Sequence, residues 1–492
     1  MNKILDKLPT TLIKANLSLK KALPEAEIYL VGGAVRDLLL NRMTKDYDLV
    51  VKNVPVEILE NKLKQLGDTN LVGKNFGVFK WLPLGWLDEA IDIALPRTEH
   101  SLNLSGRYRD FKIQSDHNLS IEQDLARRDF TINALALNLS DGKIIDPHNG
   151  QTDLNNKIIK AIGQPTDRLQ EDLSRALRAL RFACQLNFNI EQKTLSAIKQ
   201  AANQVVNGQS DNLYLVPRET IAKEFLKSLI ADPIKIIKLY QDNDYLKLLL
   251  PEVWSLSSCP QPPQFHSEGD VLTHTQLALE SLNSLDWQKY FPDQEANLTL
   301  LLAILLHDIG KPLTLQTPDQ HGVDRIRTHN HDTIGAQIAL QIINRLKLTS
   351  YVDKEFGNID SQLTSWLIAN HMLLAHSQPQ DLKPTTIYKY FLKETNKGQL
   401  LLQLLFADIW ATRPQNNLRL LDGFDILLTK INEVKSALPQ DGLKLLLNGE
   451  AIMTNFNMEP GPKIGQLLKI LEEAQVNGLV KTEAEAIEYL KN

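Results

Sequence analysis

The stretch "YLVGGAVRDLLLNRMTKDYDLVV", residues 29–51, holds two apolar β-type runs separated by two glycines and a charged helical segment. Gly32 and Gly33 directly follow the first run, and Asp46 and Asp48 stand one residue apart where the second run begins. Because alternate side chains of a strand share a face, the two aspartates would point the same way. Taken alone, the pattern is also that of an ordinary strand, turn, helix and strand with polar ends.

A third carboxylate follows in "EAIDIALPRTE", which alternates like a strand and contains Asp92. Carboxylates so placed suit a hard, oxygen-preferring cation such as Mg²⁺. Three of them can hold two metal ions, the arrangement that activates a hydroxyl and stabilises a leaving oxygen in phosphoryl-type transfer. Backbone N–H groups at Gly32 and Gly33 could approach a phosphate, and Arg36 would reach the phosphate tail. We therefore expect a nucleoside triphosphate site with two metal ions.

Four motifs occur in one order along the chain: "LVGGAVRDLLL…KDYDLVV", "IDIALPRTE", "DLARRDFTINALAL" and "EDLSRALRALRFA". Together they resemble the motifs of the class II tRNA nucleotidyltransferases, the CCA-adding enzymes of the DNA polymerase β-like superfamily. The resemblance covers residues 28–230, and bacterial poly(A) polymerases share much of this head. It implies a palm-like catalytic head, a helical neck, and helical segments that grip tRNA. It also implies CTP and ATP as substrates and Mg²⁺ on the three aspartates.

The motif "EDLSRALRALRF" is amphipathic when it is projected on a helical wheel. One side is apolar and contains Leu173, Ala176, Leu177, Leu180 and Ala183. The other side carries Asp172, Arg175, Arg178 and Arg181. The commoner interpretation of such a helix is a solvated cationic face.

A second interpretation is that Asp172 and Arg175 select the base. Cytosine and adenine both present an amino donor beside a ring-nitrogen acceptor, whereas guanine and uracil present a ring N–H beside a carbonyl. A fixed aspartate acceptor next to a fixed arginine donor matches the first pair alone, as side chains read base edges elsewhere. The resembled family has such an amino-acid template at the matching residues.

The resemblance also assigns residues around the nucleotide. It places Arg128, Arg178 and Arg181 near the nucleotide or its triphosphate, and it implies that Asp129 and Asn133 shape the sugar and phosphate site. The alternative for "DLARRDFTINAL" is a capped helix start with arginines as surface charges.

Residues 99–120 are polar and weakly periodic, which predicts a long and partly mobile loop. In CCA-adding enzymes a flexible loop between these motifs helps the switch from C to A addition. The presence of a long segment here favours full CCA addition.

The second half of the chain contains histidines and carboxylates in apolar helical surroundings. They are His274 in "HSEGDVLTHTQLAL", His307 and Asp308 in "LLAILLHDIGKP", His331, His371 and Asp408. Such ligands on separate helices can converge on a transition metal in a bundle core. The order His274, His307-Asp308, Asp408 resembles an HD-superfamily metal phosphohydrolase, with His331 and His371 completing a two-metal version. A structural remnant that helps to bind tRNA is the alternative.

Composition agrees with a multidomain globular protein. The chain has 492 residues and 43% hydrophobic content. Its net charge of −5 excludes a wholly basic nucleic-acid binder, and its two cysteines are too few for a disulfide framework. The N-terminal stretch lacks a signal-peptide pattern, and no apolar run is long enough to span a bilayer. We expect a cytoplasmic protein without a membrane partner; the oligomeric state is not indicated.

The predicted fold class is α+β. We expect a mixed-sheet nucleotidyltransferase head (1–150), a helical neck and body for nucleotide selection and RNA binding (151–255), an HD domain (256–435) and a helical tail (436–492).

The predicted function is addition of the 3′-terminal CCA to tRNA without a nucleic-acid template. A partial CC-adding or A-adding enzyme is one alternative, and a poly(A) polymerase, which would lack the HD segment, is another. An inactive RNA-binding scaffold is a third, against which the intact carboxylates argue.

Overall fold

A computed structural model describes the chain over residues 4–72, 78–86, 89–101, 111–374, 378–415, 420–439 and 442–491. It divides into two compact units, Met1–Leu249 and Leu250–Asn492. The α+β class is confirmed: the sheet of the head lies in the first unit, and helices dominate the rest. The finer predicted domain boundaries stay predictions.

The described strands of the first unit are β1 (Glu27–Val31), β2 (Asp48–Lys52), β3 (Gly67–Val72), β4 (Val78–Pro83), β5 (Ile91–Ala94), β6 (Arg97–Ser101), β7 (Phe111–Ser115), β8 (Ala136–Asn138), β9 (Ile144–Ile145), β10 (Ile158–Ile159), β11 (Asn189–Ile190), β12 (Gln209–Ser210) and β13 (Leu213–Tyr214). Its helices are α1 (Thr10–Ala22), α2 (Gly33–Leu39), α3 (Val56–Leu66), α4 (Ile121–Ala126), α5 (Gly150–Asn155), α6 (Pro165–Glu171), α7 (Ser174–Leu186), α8 (Gln192–Asn207), α9 (Arg218–Ala231), α10 (Pro233–Asp242) and α11 (Tyr245–Leu249).

Seven strands form one mixed sheet in the order β3-β4-β5-β2-β1-β8-β9. Strands β2 and β5 pair in parallel, and the other neighbours in this order are antiparallel. The central strands are short runs of β-branched and aliphatic residues, which suits burial on both faces. Tyr29, Val31 and Val50 pack with residues of α4 in one core cluster. The centre of the sheet is thus apolar, and polar side chains lie at the strand ends.

The expectation of a loop over residues 99–120 is wrong at its ends. β6 and β7 form an antiparallel pair from Arg97↔Ser115 to Ser101↔Phe111, and α4 then begins after a capping box at Ser120. Backbone hydrogen bonds between β6 and β7 hold these two strands together. Residues 102–110 of the predicted loop lie outside the described residues.

The predicted apolar stripe of α7 is confirmed. Leu173, Ala176, Leu177, Leu180 and Ala183 are each at most 2% exposed. The opposite side is not a solvated face, however. Asp172, Arg175 and Arg181 are buried as well, which the structure achieves by giving each a protein partner.

The second unit is helical over most of its described length. Its helices are α12 (Pro251–Trp254), α13 (Val271–Glu280), α14 (Leu285–Tyr290), α15 (Leu298–Leu306), α16 (Lys311–Thr314), α17 (Pro318–His321), α18 (His331–Arg345), α19 (Ser361–Asn370), α20 (Pro384–Ile387), α21 (Thr395–Ala411), α22 (Leu421–Ala437), α23 (Gly449–Phe456), α24 (Pro462–Val476) and α25 (Glu483–Lys491). Every residue of α15 is buried, as expected for a helix that is apolar on all sides. Helices α23 to α25 share a separate core cluster. Within the described ranges, no helix is both long and apolar enough to cross a bilayer.

Candidate active site and candidate metal centre

The three predicted catalytic aspartates lie at one end of the central strands. Asp48 begins β2, where its Cα pairs with Val31 of β1 on one side and with Asp92 of β5 on the other. Tyr47 is buried, whereas Asp46 is exposed and Asp48 is half-buried, as expected for alternating side chains. The strand register therefore places Asp48 beside both Asp92 and Val31, the residue that precedes the glycine turn.

Electrostatics show that these carboxylates crowd one another. Burial and then the negative charge of Asp46 raise the pKa of Asp48 to about 6, with a further contribution from Asp92. Arg128 and Lys80 act in the opposite direction. Carboxylates that repel one another in this way fit a divalent cation, because oxygen donors and excess negative charge are what such an ion requires.

Asp92 already has a cationic partner. Lys80 of β4 lies opposite Asp92 in the antiparallel register, and its Nζ donates to Oδ1 of Asp92 at 2.9 Å. Among the described residues, the sets of three His, Cys, Asp or Glu side chains with all donor atoms within 4.8 Å do not include the three aspartates. The structure thus places Asp46, Asp48 and Asp92 at one sheet end without gathering their oxygens into a tight cluster.

The Gly32-Gly33 turn allows the guanidinium groups of two arginines to approach its backbone closely. Gly32 has φ 71°, a left-handed conformation that favours glycine. A Cβ at Gly32 would lie 2.6 Å from Nη1 of Arg128, so this guanidinium packs directly on the turn. Arg36 is buried beneath it and donates to both carboxylate oxygens of Asp37 at 2.9 Å.

A hydrogen-bond network joins this turn to α7. Nη1 of Arg36 donates to Oδ1 of Asn133 at 2.8 Å, and Nδ2 of Asn133 donates to Asp129 at 3.1 Å. The other oxygen of Asp129 accepts from Nε and Nη2 of Arg178 at 2.9 and 2.6 Å. Although burial acts to raise the pKa of Asp129, Arg178 and the hydrogen bonds lower it to about 2. Asp129 and Asn133 thus hold two arginines in fixed positions.

The proposed base-reading pair lies where α6 meets α7. Asp172 is buried, and its Oδ1 accepts from the backbone N and Oγ of Ser174 at 2.9 and 2.6 Å. Arg175, one turn later, donates to Oε2 of Glu171 at 2.6 Å and to the carbonyl of Arg168 at 3.0 Å. Both side chains are therefore held by the protein, close together in sequence and space.

Arg181 has a different environment from the other arginines of α7. Its Nε donates to Glu224 of α9 at 2.5 Å, and its Nη1 donates to Gln185 at 2.6 Å. The guanidinium also lies 4.1 Å from the centroid of the Phe182 ring. These contacts anchor α7 on α9.

Sequence reasoning missed Asp124 as a member of this site. Its fully buried carboxylate accepts from Arg127 at 2.9 Å and from Arg128 at 3.3 Å. The signal was present, because Asp124 precedes these arginines by three and four residues on a helical segment. Asp124 holds Arg128 against the glycine turn.

The first group of predicted ligands that the structure brings together is His274, His307 and Asp408, whose donor atoms all lie within 4.8 Å of one another. The set His266, Glu268 and His274 meets the same limit. Nε2 of His274 is 3.0 Å from Oδ1 of Asp408, and Nε2 of His307 is 3.8 Å from the same oxygen. Burial acts to lower the pKa of His274, but hydrogen bonds to Asp408 and Glu268 raise it to about 9. The group thus brings together His274 of α13, His307 directly after α15, and Asp408 of α21.

The second group is Asp308, His331 and His371. Oδ1 of Asp308 lies 3.3 Å from Nε2 of His331 and 3.6 Å from Nε2 of His371. Its other oxygen lies 3.3 Å from Nε2 of His307. Asp308 therefore lies between the two groups, with one oxygen near a histidine of each.

Hydrogen bonds fix the ring orientation of three of these histidines in a way that suits metal binding. Nδ1 of His307, His331 and His371 each lies 2.7 to 2.8 Å from the backbone carbonyl three residues earlier. That bond places the proton on Nδ1 and leaves the Nε2 lone pair for a ligand. Nε2 of His307 is buried and makes no hydrogen bond within the described ranges. A transition metal fits this donor set of imidazoles and carboxylates.

Two further residues lie at the centre, and the sequence reasoning assigned a role to neither of them. Lys311, the lysine of "HDIGKP", is buried, and its Nζ lies 2.6 Å from Oδ2 of Asp308 and 2.8 Å from Oε1 of Gln261. Glu268 accepts from His266 and His274. The His-x-Glu spacing just before α13 was the available signal for Glu268.

Family models match both units. The model described as "Poly A polymerase head domain" matches residues 28–160, "HD domain" matches 270–403, and a model of tRNA nucleotidyltransferase domain 2 matches 368–490. The class of the protein follows from these matches and the sites above: it is a nucleotidyltransferase with an HD domain. The presence of the HD domain argues against the poly(A) polymerase alternative.

The multifunctional CCA protein of Neisseria meningitidis serogroup B is 34% identical to this chain over 349 residues, which cover 70% of this chain and 74% of that protein. The protein of the same name from Halorhodospira halophila is 33% identical over 370 residues, covering 74% and 78%. The chain belongs to the family of multifunctional CCA proteins and is a CCA-adding tRNA nucleotidyltransferase.

Solved structures of CCA-adding enzymes share the fold. The Bacillus stearothermophilus enzyme in complex with CTP has a TM-score of 0.63 at 20% identity, covering 97% of this chain and 96% of that one. The Thermotoga maritima enzyme complexed with tRNA has a TM-score of 0.57 at 21% identity, covering 99% and 97%.

Proposed function

We propose that this chain adds the complete CCA terminus to tRNA from CTP and ATP, with Mg²⁺ at Asp46, Asp48 and Asp92. The supporting observation is the strand register, which places Asp48 between Val31 and Asp92. Val31 is the residue that leads into the glycine turn. The proposed setting is the cytoplasm, and the proposed partners correspond to the CTP and tRNA bound in the solved structures of similar fold.

The reaction forms a bond between the tRNA 3′-oxygen and the α-phosphorus of the nucleotide, and the bond to the β-phosphate breaks to release pyrophosphate. Bound divalent ions supply activation of the hydroxyl and neutralisation of the leaving charge. The protein contributes the carboxylates that hold them, the backbone N–H of Gly33 at the start of α2, and Arg128, which Asp124 keeps on the glycine turn. The N–H of Gly32 does not contribute, because it donates to the carbonyl of Leu135 at 3.1 Å. Fixed donors of this kind stabilise charge without reorganising during the reaction.

Asp172 and Arg175 would select the base in this proposal. Oδ1 of Asp172 is used by Ser174, so Oδ2 is the oxygen that accepts from the amino group of cytosine or adenine. Arg175 would exchange its bond to Glu171 for the ring nitrogen of the same base. Burial of both side chains fixes their orientation and so supports discrimination.

The HD domain would act as a metal-dependent phosphohydrolase. The observation that favours this second activity over a structural remnant is that Asp308 lies 3.3 Å from a histidine of each ligand group, His307 and His331. A remnant would have no need for three histidines with Nδ1 bonded and Nε2 turned toward carboxylates.

One assay tests nucleotide addition. Purified protein is incubated with tRNA lacking its 3′ end and with CTP, ATP or both, and the product is sequenced. We expect CCA with both nucleotides; CC alone or A alone would identify a partial enzyme.

The same assay on Asp46→Asn tests the metal role. Incorporation should fall at least about 100-fold, because loss of one charge from the cation site removes transition-state stabilisation, while tRNA binding is retained. Asp68→Asn, an exposed aspartate of β3 in the same sheet, is the matched control and should remain active. Undiminished incorporation by Asp46→Asn would refute the assignment.

A further inference from the structure

His274 differs from the other three histidines of the HD centre. Nδ1 of His307, His331 and His371 faces a neutral backbone carbonyl. Nδ1 of His274 instead lies 2.9 Å from a carboxylate oxygen, Oε1 of Glu268. A carboxylate accepts a stronger hydrogen bond than a carbonyl does, so this histidine is held by a partner of a different kind.

Glu268 is itself held from three directions. Its side chain is 2% exposed, and Oε1 also lies 2.8 Å from Nδ1 of His266. Its second oxygen, Oε2, accepts from the backbone N of Arg413 at 3.0 Å. The carbonyl of Arg413 in turn accepts from the N and Oγ of Ser267 at 2.8 and 2.7 Å. Both carboxylate oxygens of Glu268 are therefore committed.

These bonds connect two ligand-bearing helices. His274 belongs to α13, and Asp408 belongs to α21, which ends two residues before Arg413. Glu268 binds the ring of His274 through Oε1 and the end of the α21 segment through Oε2. On the far side of the ring, Nε2 of His274 lies 3.0 Å from Asp408. One carboxylate thus sets the position of two ligands relative to each other.

We propose that Glu268 is a positioning residue of the HD metal site, forming a carboxylate–histidine–metal relay through His274. It keeps the proton of His274 on Nδ1, directs Nε2 to the metal, and makes the imidazole a stronger donor. The inference rests on the proposed metal-dependent function of the HD domain. Outer partners of this kind contribute about 10- to 100-fold to metal affinity in other proteins.

The test is calorimetric titration of the full-length protein with Co²⁺, together with the visible absorption spectrum of the Co²⁺ complex. Glu268→Gln keeps an oxygen that can accept from His274 but removes the charge. We expect its Kd for Co²⁺ to rise about 10- to 100-fold and the Co²⁺ bands to shift. CCA addition should be unchanged, because the catalytic aspartates lie in the other compact unit.

Glu252→Gln is the matched control, since Glu252 belongs to the same unit and pairs with Arg345 at the surface. It should bind Co²⁺ like the wild type. Glu268→Asp provides a second variant that keeps the charge and so avoids a folding defect caused by charge loss. It withdraws the carboxylate from His274 by one methylene, so its Kd for Co²⁺ should also rise.

The outcomes separate the two proposals. If the wild type binds no Co²⁺, the metal-dependent function of the HD domain fails. If the wild type binds Co²⁺ but Glu268→Gln or Glu268→Asp matches it in Kd and spectrum, the role of Glu268 alone is overturned.

Discussion

Buried acidic side chains in the first unit position its arginines. Asp124 holds Arg128, and Asp129 holds Arg178. A buried charge without a partner costs several kcal/mol, so each carboxylate stabilises a guanidinium in one orientation. The arginines predicted to contact the nucleotide are therefore fixed by neighbours that need not touch it.

Asp129→Asn tests this arrangement through pH. The pKa of Asp129 is about 2, below the ordinary value of 3.8, so the ionised form stabilises the fold above about pH 4. That contribution, about 2 kcal/mol, is lost as pH falls toward 2. At pH 7 the variant should unfold at a lower urea concentration than the wild type, and the two midpoints should approach each other near pH 3.

The control for this measurement is Asp68→Asn, which removes an exposed carboxylate from the same unit. Its urea midpoint should follow the wild type at both pH values. A gap between Asp129→Asn and the wild type that is as wide at pH 3 as at pH 7 would contradict the ion-pair explanation.

At the scale of elements, the sequence predicted those strands and helix faces whose residues follow a regular apolar spacing. Strands β1, β2 and β5 and the apolar stripe of α7 followed from alternation and helical spacing. The β6–β7 pair did not follow from the expectation of a loop over 99–120, although Phe111, Lys112, Ile113 and Gln114 alternate as in a strand. The pair depends on backbone bonds between β6 and β7, which form only on folding. The polar side of α7 was also ambiguous, since its burial depends on partners such as Glu224, 43 residues beyond Arg181.

The site residues also divide into those that a sequence motif indicates and those whose role appears only in the folded structure. The aspartates and the HD histidines were named from motifs, but Asp124 and Glu268 were not. Their importance comes from which side chains they bind after folding, which spacing alone suggests but does not decide.

The turn between β1 and α2 is tested by Gly32→Ala. The left-handed φ costs about 1 kcal/mol with any side chain, and the new Cβ must displace Arg128. We expect a rise of about tenfold in KM for CTP and ATP, because the guanidinium leaves the triphosphate site. Gly163→Ala is a close control: its φ is 70° and a Cβ there meets no atom within 4 Å. If both variants change KM equally, Arg128 does not act through this turn.

The start of α7 is tested by Arg175→Ala. A bidentate base contact contributes about 1–3 kcal/mol of discrimination, so preference for CTP over UTP and for ATP over GTP should fall about 10- to 100-fold. Rates with all four nucleotides are measured on the same tRNA. Glu171→Gln keeps Arg175 and removes its ionic partner, so selectivity should persist in this control. An equal loss of rate with every nucleotide would show that Arg175 is only structural.

At the scale of the whole molecule, the two sites belong to different compact units. The aspartates, the glycine turn and the arginines lie within residues 1–249, and the HD ligands lie within 250–492. The described hydrogen-bond partners of each site lie in the same unit as that site. Nucleotide addition therefore does not require the HD ligands, and phosphohydrolysis does not require the aspartates of the head.

His307→Ala tests this independence. The variant removes one imidazole from the group formed with His274 and Asp408, leaving too few donors to retain a transition metal. Metal-dependent phosphohydrolysis should therefore disappear, while CCA addition to tRNA continues at the wild-type rate. Both activities are measured on one preparation, with the exposed His329→Ala as the histidine control that should keep both. Phosphohydrolysis that survives in His307→Ala would mean that the metal centre is elsewhere, and a parallel loss of CCA addition would mean that the two units act as one catalytic body.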